Sequence, residues 1–409
     1  MSTRFGLAAL LSVAALVGPV EQAALPAPAQ GFTSLASPSA EGAAQPNLVA
    51  DSKGRVFLSW LEPRPGGGHR FRLSSLAGGK WSAPVTIAEG ANFLANWADF
   101  PSVFVSSNGT MAAHWLERGQ TRDAYGIRVS TSKDSGRRWS APITPHRDAS
   151  AAEHGFVSFF EAPGGDIGLV WLDGREMSGG HAAAGHGGMA LRAARLKGGD
   201  AGEETVLDPR TCECCQTSAT RAGNSVLVVY RDRSDKEIRD TSIIRFSGGK
   251  WSAPVTVHAD NWEINGCPVN GPVIAASGNA AAAAWFTGTG SAPKTMVAFS
   301  GDEGRTFGAP IRLNPDATVT LGRLAMAMPS ADRVFVSSLE RMTSGAHLVV
   351  REVRRDGRVS APVEISAATP ERSGGFARLA RSGSTLVVAW TDVKPGASSA
   401  VRTSIAEVR

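Results

Sequence analysis

The chain has 409 residues, of which 42% are hydrophobic and 19% charged, and its formal net charge is +5. This composition is that of a soluble globular protein that can bury a sizeable core. The small positive charge is spread along the chain without a basic block, so neither nucleic acid nor a membrane surface is an expected partner.

The amino terminus has the pattern of an export signal. Arg4 gives a basic start, Phe5–Val20 is a short apolar run, and Ala27 and Ala29 provide the small residues typical of a signal-peptidase site. We therefore predict a cleaved signal at residues 1–29. The mature chain is expected to be periplasmic or secreted, with no membrane span after cleavage.

The rest of the chain contains an internal repeat. One phrase recurs as KWSAPVTI, RWSAPITP and KWSAPVTV, starting at Lys80, Arg138 and Lys250. A second, strand-like phrase alternates with it, and its anchor positions are 51 to 59 residues apart. The anchors are Trp60, Trp115, Trp171, Tyr230, Trp285, Leu339 and Trp390.

Each repeat predicts four short antiparallel strands. Six positions before each anchor lies a turn residue, which is Gly or Asn in five of the seven units. A four-stranded unit repeated at this spacing is typical of a β-propeller blade. The sequence therefore predicts an all-β, seven-bladed propeller over residues 45–409 as a single domain. A six-bladed ring with one irregular unit is the alternative.

The last unit has only three evident strands before the chain ends. Ring closure therefore needs a strand from elsewhere. We expect residues 30–44, through the stretch Gly31–Ser37, to supply the missing outer strand.

Two hairpins have a more specific pattern, Ser-x-Asp-x-Gly-x-x-aromatic. Its members are Ser132, Asp134, Gly136 and Trp139 in one hairpin, and Ser300, Asp302, Gly304 and Phe307 in the other. These hairpins resemble the Asp-boxes of the sialidase-like (BNR repeat) propeller superfamily. The resemblance implies a sialidase-like fold, with the boxes in structural roles far from any active site.

The chain departs from the sialidase pattern where the chemistry would lie. The resemblance would imply an arginine triad, a Tyr–Glu nucleophile pair and a Phe/Tyr-Arg-Ile-Pro motif near the mature amino terminus. The motif is missing, and the only tyrosines are Tyr125 and Tyr230. We therefore predict that the protein is not a competent sialidase. If it is an enzyme, the resemblance implies a glycoside hydrolase of sialidase-like fold, either exo-sialidase-like or of another specificity.

Charged residues recur just after the second strand of each unit. In propellers, these loops surround the mouth of the central channel, where a ring of charge suits a sugar or an anionic ligand. Each residue taken singly is more simply a solvated loop charge. Two facing carboxylates would suit glycoside hydrolysis. The candidate catalytic residues are Asp173, Asp232, Glu340, Arg175 and Arg231.

The four cysteines form a second candidate site. Cys212 and Cys267 each lie 18 residues before an anchor, so they hold equivalent positions on adjacent blades. Cys214 and Cys215 follow in the stretch TCECCQT, and one blade earlier the equivalent slot is Glu153, next to His154. In an exported protein such cysteines most often form disulfides, but thiolates and imidazole also suit copper or zinc, and a thiol redox centre is the third alternative.

A long loop beside this sector provides further candidate ligands. The stretch DGREMSGGHAAAGHGGM contains Met177, His181, His186 and Met189. Thioether and imidazole groups suit a soft metal such as Cu(I), although a flexible glycine-rich loop explains the same composition.

Three functions follow from these patterns. The first is binding of a small ligand, with copper as the metal to test, at a cysteine-rich channel mouth. The second is a carbohydrate-active enzyme that uses carboxylates on this face on a glycan. The third is an interaction scaffold stapled by disulfides.

Overall fold

A computed structural model describes residues 25, 31–121, 124–162, 164–177, 188–197, 199–371, 374–393, 396 and 398–408. These residues form thirty β-strands in seven antiparallel sheets. They include no helix, and therefore none long and apolar enough to cross a membrane. The prediction of an all-β, seven-bladed propeller is confirmed, and the six-bladed alternative is wrong because each of the seven anchors lies in a separate sheet.

The first four blades follow one another along the chain. Blade 1 contains β2 (Ala44–Ala50), β3 (Val56–Pro63), β4 (His69–Ala77), β5 (Lys80–Trp81) and β6 (Val85–Gly90). Blade 2 contains β7 (Ser102–Val105), β8 (Met111–Arg118) and β9 (Tyr125–Ser132). Blade 3 contains β10 (His154–Glu161), β11 (Ile167–Asp173), β12 (Met189–Lys197), β13 (Asp200–Ala201) and β14 (Thr205–Thr211). Blade 4 contains β15 (Ser218–Ala222), β16 (Ser225–Arg231), β17 (Thr241–Ser247), β18 (Lys250–Trp251) and β19 (Val255–Thr256).

The last three blades complete the ring. Blade 5 contains β20 (Val273–Ser277), β21 (Ala280–Thr287), β22 (Lys294–Ser300) and β23 (Ile311–Arg312). Blade 6 contains β24 (Val319–Ser330), β25 (Arg333–Met342), β26 (Gly345–Arg354) and β27 (Val363–Ala368). Blade 7 contains β28 (Arg378–Ser382), β29 (Thr385–Asp392), β30 (Ala400–Glu407) and β1 (Thr33–Leu35).

Blade 7 is assembled from both ends of the chain. β1 pairs antiparallel with β30, with Thr33 opposite Ile405 and Leu35 opposite Thr403. The Thr403 hydroxyl also donates a hydrogen bond to the Leu35 carbonyl across 2.9 Å. An amino-terminal strand thus covers the edge of the last sheet, which would otherwise expose unpaired backbone groups.

The core lies between neighbouring sheets. The second strand of a blade has other blades on both of its faces, so it is mainly apolar and buried along its length rather than alternating: every residue of β11 and β16 is buried. The anchors Trp60, Trp171 and Trp285 are fully buried. The indole N–H of Trp171 donates to the carboxylate of Asp173, two positions on, across 2.8 Å.

The two hairpins with the Ser-x-Asp-x-Gly pattern have the same local hydrogen bonds. The amides of Gly136 and Gly304 donate to the hydroxyls of Ser132 and Ser300, each across 3.0 Å. Both glycines have positive φ, which a β-carbon would strain. The aromatic residues that end the pattern, Trp139 and Phe307, pack against the cores between blades.

Candidate functional site

The candidate residues lie on one face of the ring, in several separate clusters. This upper face is made of the loops between the second and third strands of each blade and of the connections from one blade to the next inner strand. In blade 4 the two kinds of loop pair directly, through a bridge between Ile238 and Glu263. Residues far apart in sequence can therefore meet here.

The cysteines from two connections are joined covalently. Cys214, in the connection before blade 4, forms a disulfide with Cys267, in the connection before blade 5, and their Cα atoms are 6.0 Å apart. This bond links neighbouring connections of the upper face. The disulfide interpretation therefore holds for these two residues.

Cys212 and Cys215 remain as thiols beside that disulfide. Both are buried, and their Sγ atoms are 2.8 Å apart. The Cys212 Sγ is also 3.9 Å from the Cys214 Sγ. The thiol pair is therefore the part of the cysteine cluster that is free to react or to bind a metal.

Positive charge stabilises the thiolate form of Cys212. Burial opposes ionisation, but a hydrogen bond with Cys215 and the nearby Arg239 guanidinium outweigh it and lower the pKa of Cys212. Burial and the neighbouring Cys212 raise the pKa of Cys215. Nη1 of Arg239 is 3.5 Å from the Cys212 Sγ and also bonds the Glu213 carboxylate across 2.9 Å. One thiol of the pair is thus activated and the other is not.

His154 belongs to a different cluster. It begins β10, and its Nε2 lies 3.0 Å from Asp148 and 3.6 Å from Asp173. Its ring stacks on His146, with centroids 3.9 Å apart. Among the described residues, the groups close enough to share one metal ion are Cys212 with Cys214 and Cys215, and separately His146 with Asp148 and His154. The structure thus does not join His154 to the thiols.

The loop after β11 contributes little to either cluster in its described part. Met177 packs against the apolar core, and Met189 is fully buried at the start of β12. His181 and His186 lie outside the described residues.

The candidate catalytic residues lie in separate networks. Asp173 accepts two hydrogen bonds from Arg175, across 2.7 and 2.6 Å. Burial raises the pKa of Asp173, but these bonds outweigh it, so the net pKa is lowered. Glu340, on blade 6, is fully buried in an ion pair with Arg351 at 2.9 Å.

The candidates on blade 4 are also held by internal contacts. Arg231 is buried and donates to the backbone carbonyls of Asn270 and Phe286, across 2.9 and 2.7 Å. Asp232 accepts from Ser242 across 3.1 Å. Burial and the nearby Asp208 raise the pKa of Asp232. These contacts favour structural roles for both residues.

A cavity of about 280 Å³ lies where the inner strands of all seven blades converge. Its polar lining comes mainly from residues at or just before the inner strands, and therefore from the upper end of the channel. These residues are Asp99, Gln216, Asn270, Arg323 and Arg378. No motif in the sequence predicts this set, because the residues at the inner-strand entries differ from blade to blade. The available signal was the position 18 residues before each anchor, which Cys212 and Cys267 occupy in blades 4 and 5.

Two arginines of the cavity have no carboxylate partner among the described residues. Arg323 donates to the carbonyls of Gly374 and Pro370 and lies 5.3 Å from the Phe376 ring centroid. Arg378 lies over Phe100, 4.7 Å from its centroid. Burial lowers the pKa of both guanidinium groups to about 10, which still leaves them positively charged at neutral pH.

Asp99 is the buried acid of the same cavity. Its Oδ1 accepts a hydrogen bond from the Phe156 amide across 2.8 Å, and the side chain is packed against Gly155 and Tyr125. Burial raises the pKa of Asp99 to about 8, and the negative charge of Glu153 adds to the effect. Asp99 is therefore mostly protonated at neutral pH and can donate a proton or a hydrogen bond.

The fold is similar to those of several solved structures. A protein of unknown function from Dyadobacter fermentans matches with a TM-score of 0.54 and 14% identity, covering 93% of this chain and 99% of that one. An α-L-arabinofuranosidase from Fusarium graminearum matches with a TM-score of 0.51 and 13% identity, covering 93% and 98%. A PL25 ulvan lyase bound to -[GlcA(1-4)Rha3S]- matches with a TM-score of 0.55 and 12% identity, covering 92% and 96%.

No protein-family model and no curated relative matches the chain. The solved structures are similar in fold alone, since their identities are 12 to 14%. These propellers include carbohydrate-active enzymes, both a glycoside hydrolase and a polysaccharide lyase. The chain is thus a seven-bladed propeller with a fold that such enzymes also use.

Proposed function

We propose that this protein is a carbohydrate-active enzyme that binds an acidic sugar in the central cavity. The observation that carries the proposal is the pair Arg323, which is buried, and Arg378, which is half-buried; both line the cavity without a carboxylate partner among the described residues. A desolvated guanidinium gains most from a bound anion, and guanidinium geometry matches a carboxylate or sulfate group.

The other cavity residues suit the same ligand. Phe100 and Phe376 present aromatic surface beside the arginines. Gln216 and Asn270 line the same cavity, and their side-chain amides are hydrogen-bonded to neighbouring backbone groups, which fixes the shape of its wall. The ulvan lyase of similar fold has glucuronate and a sulfated sugar in its bound oligosaccharide, which makes an acidic glycan the first class to test.

Asp99 would supply the chemistry. A carboxylic acid that remains protonated near neutral pH can protonate a leaving-group oxygen, as the acid of a glycosidase does. Its neighbour Glu153 is the second carboxyl group of this region. We therefore assign Asp99 as the general acid that protonates the leaving-group oxygen while water attacks the anomeric carbon and releases a proton to solvent, so that the glycosidic bond is hydrolysed.

The binding test compares matched sugars. Oligosaccharides ending in glucuronate and in glucose differ only in the carboxylate, so calorimetric titration with both isolates its contribution. We expect Arg378→Met and Arg323→Met to weaken binding of the acidic member by 10-fold or more, on the order of a charged hydrogen bond. Arg137→Met, at an exposed lower-face position, is the control. Equal affinity of the wild type for both sugars would refute the proposal.

Cleavage is tested separately from binding. Asp99→Asn keeps the shape of the side chain but removes the acidic proton. We expect it to retain binding and to lose about 10²–10⁴-fold in the rate of reducing-end release. A variant that cleaves at the wild-type rate would exclude Asp99 as the acid and leave the binding proposal standing.

The thiol pair favours a second function, the binding of a soft metal at the cysteine site. Two buried sulfurs 2.8 Å apart, one of them activated by Arg239, match the preference of Cu(I) for thiolate ligands. Titration with Cu(I) against a chromogenic chelator should give one ion per chain, lost in Cys212→Ser and Cys215→Ser. Retention of the ion in both variants would exclude the site.

We also propose that the protein is exported and distantly related to sialidase-like propellers without acting as a sialidase. The Cys214–Cys267 disulfide supports export, because such bonds persist in oxidising compartments. The matching Ser-x-Asp-x-Gly hairpins of blades 2 and 5 support the relationship. Mass analysis of the protein recovered from the periplasm would test the predicted loss of residues 1–29. The disulfide-stapled interaction scaffold is the outcome if neither sugar nor metal binds.

A further inference from the structure

A cluster outside both sites has the composition of a metal centre. His146 and Asp148 lie in the connection between blades 2 and 3, and His154 is the first residue of β10. The two imidazole rings are parallel within 5°. The Oδ1 of Asp148 is 3.1 Å from Nδ1 of His146 and 3.0 Å from Nε2 of His154. One nitrogen of each ring and a carboxylate oxygen of Asp148 thus lie within 4.8 Å of one another.

The hydrogen bonding of this cluster is incomplete. Nε2 of His154 is buried without a hydrogen bond, in spite of its short distance to Asp148, and the His154 side chain is only 1% exposed. Nε2 of His146 is also buried without a partner, but the nitrogen of this ring that faces Asp148 is Nδ1, which is hydrogen-bonded to Oδ1 across 3.1 Å. Buried polar atoms are nearly always satisfied, so the unpartnered Nε2 of His154 beside the Asp148 carboxylate indicates a missing ligand.

The spacing suits a small divalent ion. Zn²⁺ bonds to nitrogen and oxygen ligands are about 2.0–2.2 Å long, which puts the ligand atoms of a tetrahedral site about 3.3 Å from one another. The separations from Asp148 to the two imidazoles, 3.1 and 3.0 Å, are close to that value. Two imidazoles and one carboxylate are a set that Zn²⁺ accepts, with a fourth position left for water.

The surrounding charges fit a cation, although an arginine is present. Nη2 of Arg175 lies 3.2 Å from Asp148, but the same guanidinium is neutralised by Asp173 at 2.6 Å and by Glu204 at 3.0 Å. Arg175 therefore does not fully neutralise the negative charge of Asp148. Asp173, 3.6 Å from Nε2 of His154, can orient that imidazole as carboxylates beside metal sites do.

We propose that His146, Asp148 and His154 form a Zn²⁺ site that fastens the connection between blades 2 and 3 to the start of β10. The ion is bound by the two imidazoles and the Asp148 carboxylate. It is distinct from the thiol pair, which takes a soft monovalent ion, and from the cavity, which takes the sugar. Binding of the ion makes this sector of the upper face more stable.

The experiment measures zinc binding by the chelator-treated, full-length protein carrying Cys212→Ser and Cys215→Ser, so that the thiols cannot contribute. Calorimetric titration with Zn²⁺ should give one ion per chain, together with a rise in the melting temperature. His146→Gln, Asp148→Asn and His154→Gln should each weaken binding by 10-fold or more. His258→Gln is the matched control, because His258 pairs with Asp260 at 2.8 Å without a second imidazole partner.

Each result of this titration either supports the zinc site or contradicts it. Circular dichroism of each metal-free variant tests whether it is folded. If a histidine variant is not folded, Asp148→Asn, which keeps the side-chain shape, is the decisive variant. Stoichiometric zinc lost in Asp148→Asn but retained in His258→Gln supports the site. Failure of the thiol-free protein to bind Zn²⁺, or equal binding by Asp148→Asn, overturns it.

Discussion

The carboxylate of Asp99 accepts a hydrogen bond from the amide of Phe156 across 2.8 Å and so joins two blades at the cavity wall. Asp99 belongs to the entry of blade 2, and Phe156 belongs to the inner strand of blade 3. Phe156 has a φ of 54°, in the left-handed region, at a register shift between Gly155 and Ser158. The buried acid is thus built into the contact between neighbouring blades.

The first prediction concerns pH. Burial raises the pKa of Asp99 from 3.8 to about 8, so the folded protein keeps a proton that the unfolded chain releases. The contribution of Asp99 to stability is therefore full below about pH 4 and is lost as the pH rises towards 8. Each pKa unit corresponds to about 1.4 kcal/mol, so the loss is on the order of a few kcal/mol.

Urea unfolding at several pH values measures this loss. The free energy of unfolding of the wild type should fall relative to that of Asp99→Asn between pH 5 and 8, because the variant lacks the titrating group. Parallel curves for the two proteins would mean that the carboxyl group is not protonated in the folded state.

The second prediction concerns packing behind Asp99. A β-carbon added at Gly155 would lie 1.9 Å from Oδ2 of Asp99, so Gly155→Ala must displace the acid. We expect it to lower the free energy of unfolding by about 1–3 kcal/mol, as overpacking does, and to reduce glycan cleavage. Gly266→Ala is the control because nothing lies within 4 Å of its added carbon. Equal stability of the two variants would contradict the packing of Asp99 against Gly155.

The third prediction concerns the cysteines. Thiol titration of the unreduced protein in denaturant should find two thiols per chain, those of Cys212 and Cys215, and the native protein should react more slowly because both are buried. Removal of the disulfide by Cys214→Ala with Cys267→Ala should lower the free energy of unfolding by about 2–4 kcal/mol. Reducing agent should destabilise the wild type but not the double variant. A count of zero thiols would indicate a second disulfide.

The fourth prediction concerns the blade 5 hairpin. Asp302 accepts the amide of Thr306 across 3.0 Å and the hydroxyl of Ser300 across 2.7 Å. Burial opposes ionisation, but these bonds outweigh it and lower the pKa of Asp302 to about 2. The stability they give is present above the unfolded pKa of 3.8 and is lost as the pH falls through about 2.

Asp302→Ala should therefore lower the melting temperature at pH 7 without changing sugar binding, since the hairpin is remote from the cavity. Asp316→Ala, at an almost fully exposed position in the connection after blade 5, should melt like the wild type, because its surface ion pair with Arg312 is screened by solvent. A loss of sugar binding in folded Asp302→Ala would contradict a purely structural role.

The sequence by itself determined the architecture, because a propeller repeats the same local pattern. Trp60, Trp171 and Trp285 recur at nearly equal spacing since each fills the same space between two sheets. Each turn depends on a few neighbouring residues. The recurring anchors and the turns can therefore both be recognised in the sequence. The same alignment placed Cys212 and Cys267 in equivalent slots of adjacent blades, and the structure joins those slots through Cys214 and Cys267.

The tertiary structure alone decided which polar residues act together. Asp99, Arg323 and Arg378 come from blades 2, 6 and 7 and share one cavity only because the ring closes around it. Their chemistry depends on burial and on the partners they lack, and neither property has a local pattern in the sequence. Likewise, the register of the blades predicts that His154 lies with the cysteines. The connection before blade 3 instead places His146 and Asp148 next to it. Repeats reveal what every blade has in common, whereas a site is made from the differences between blades.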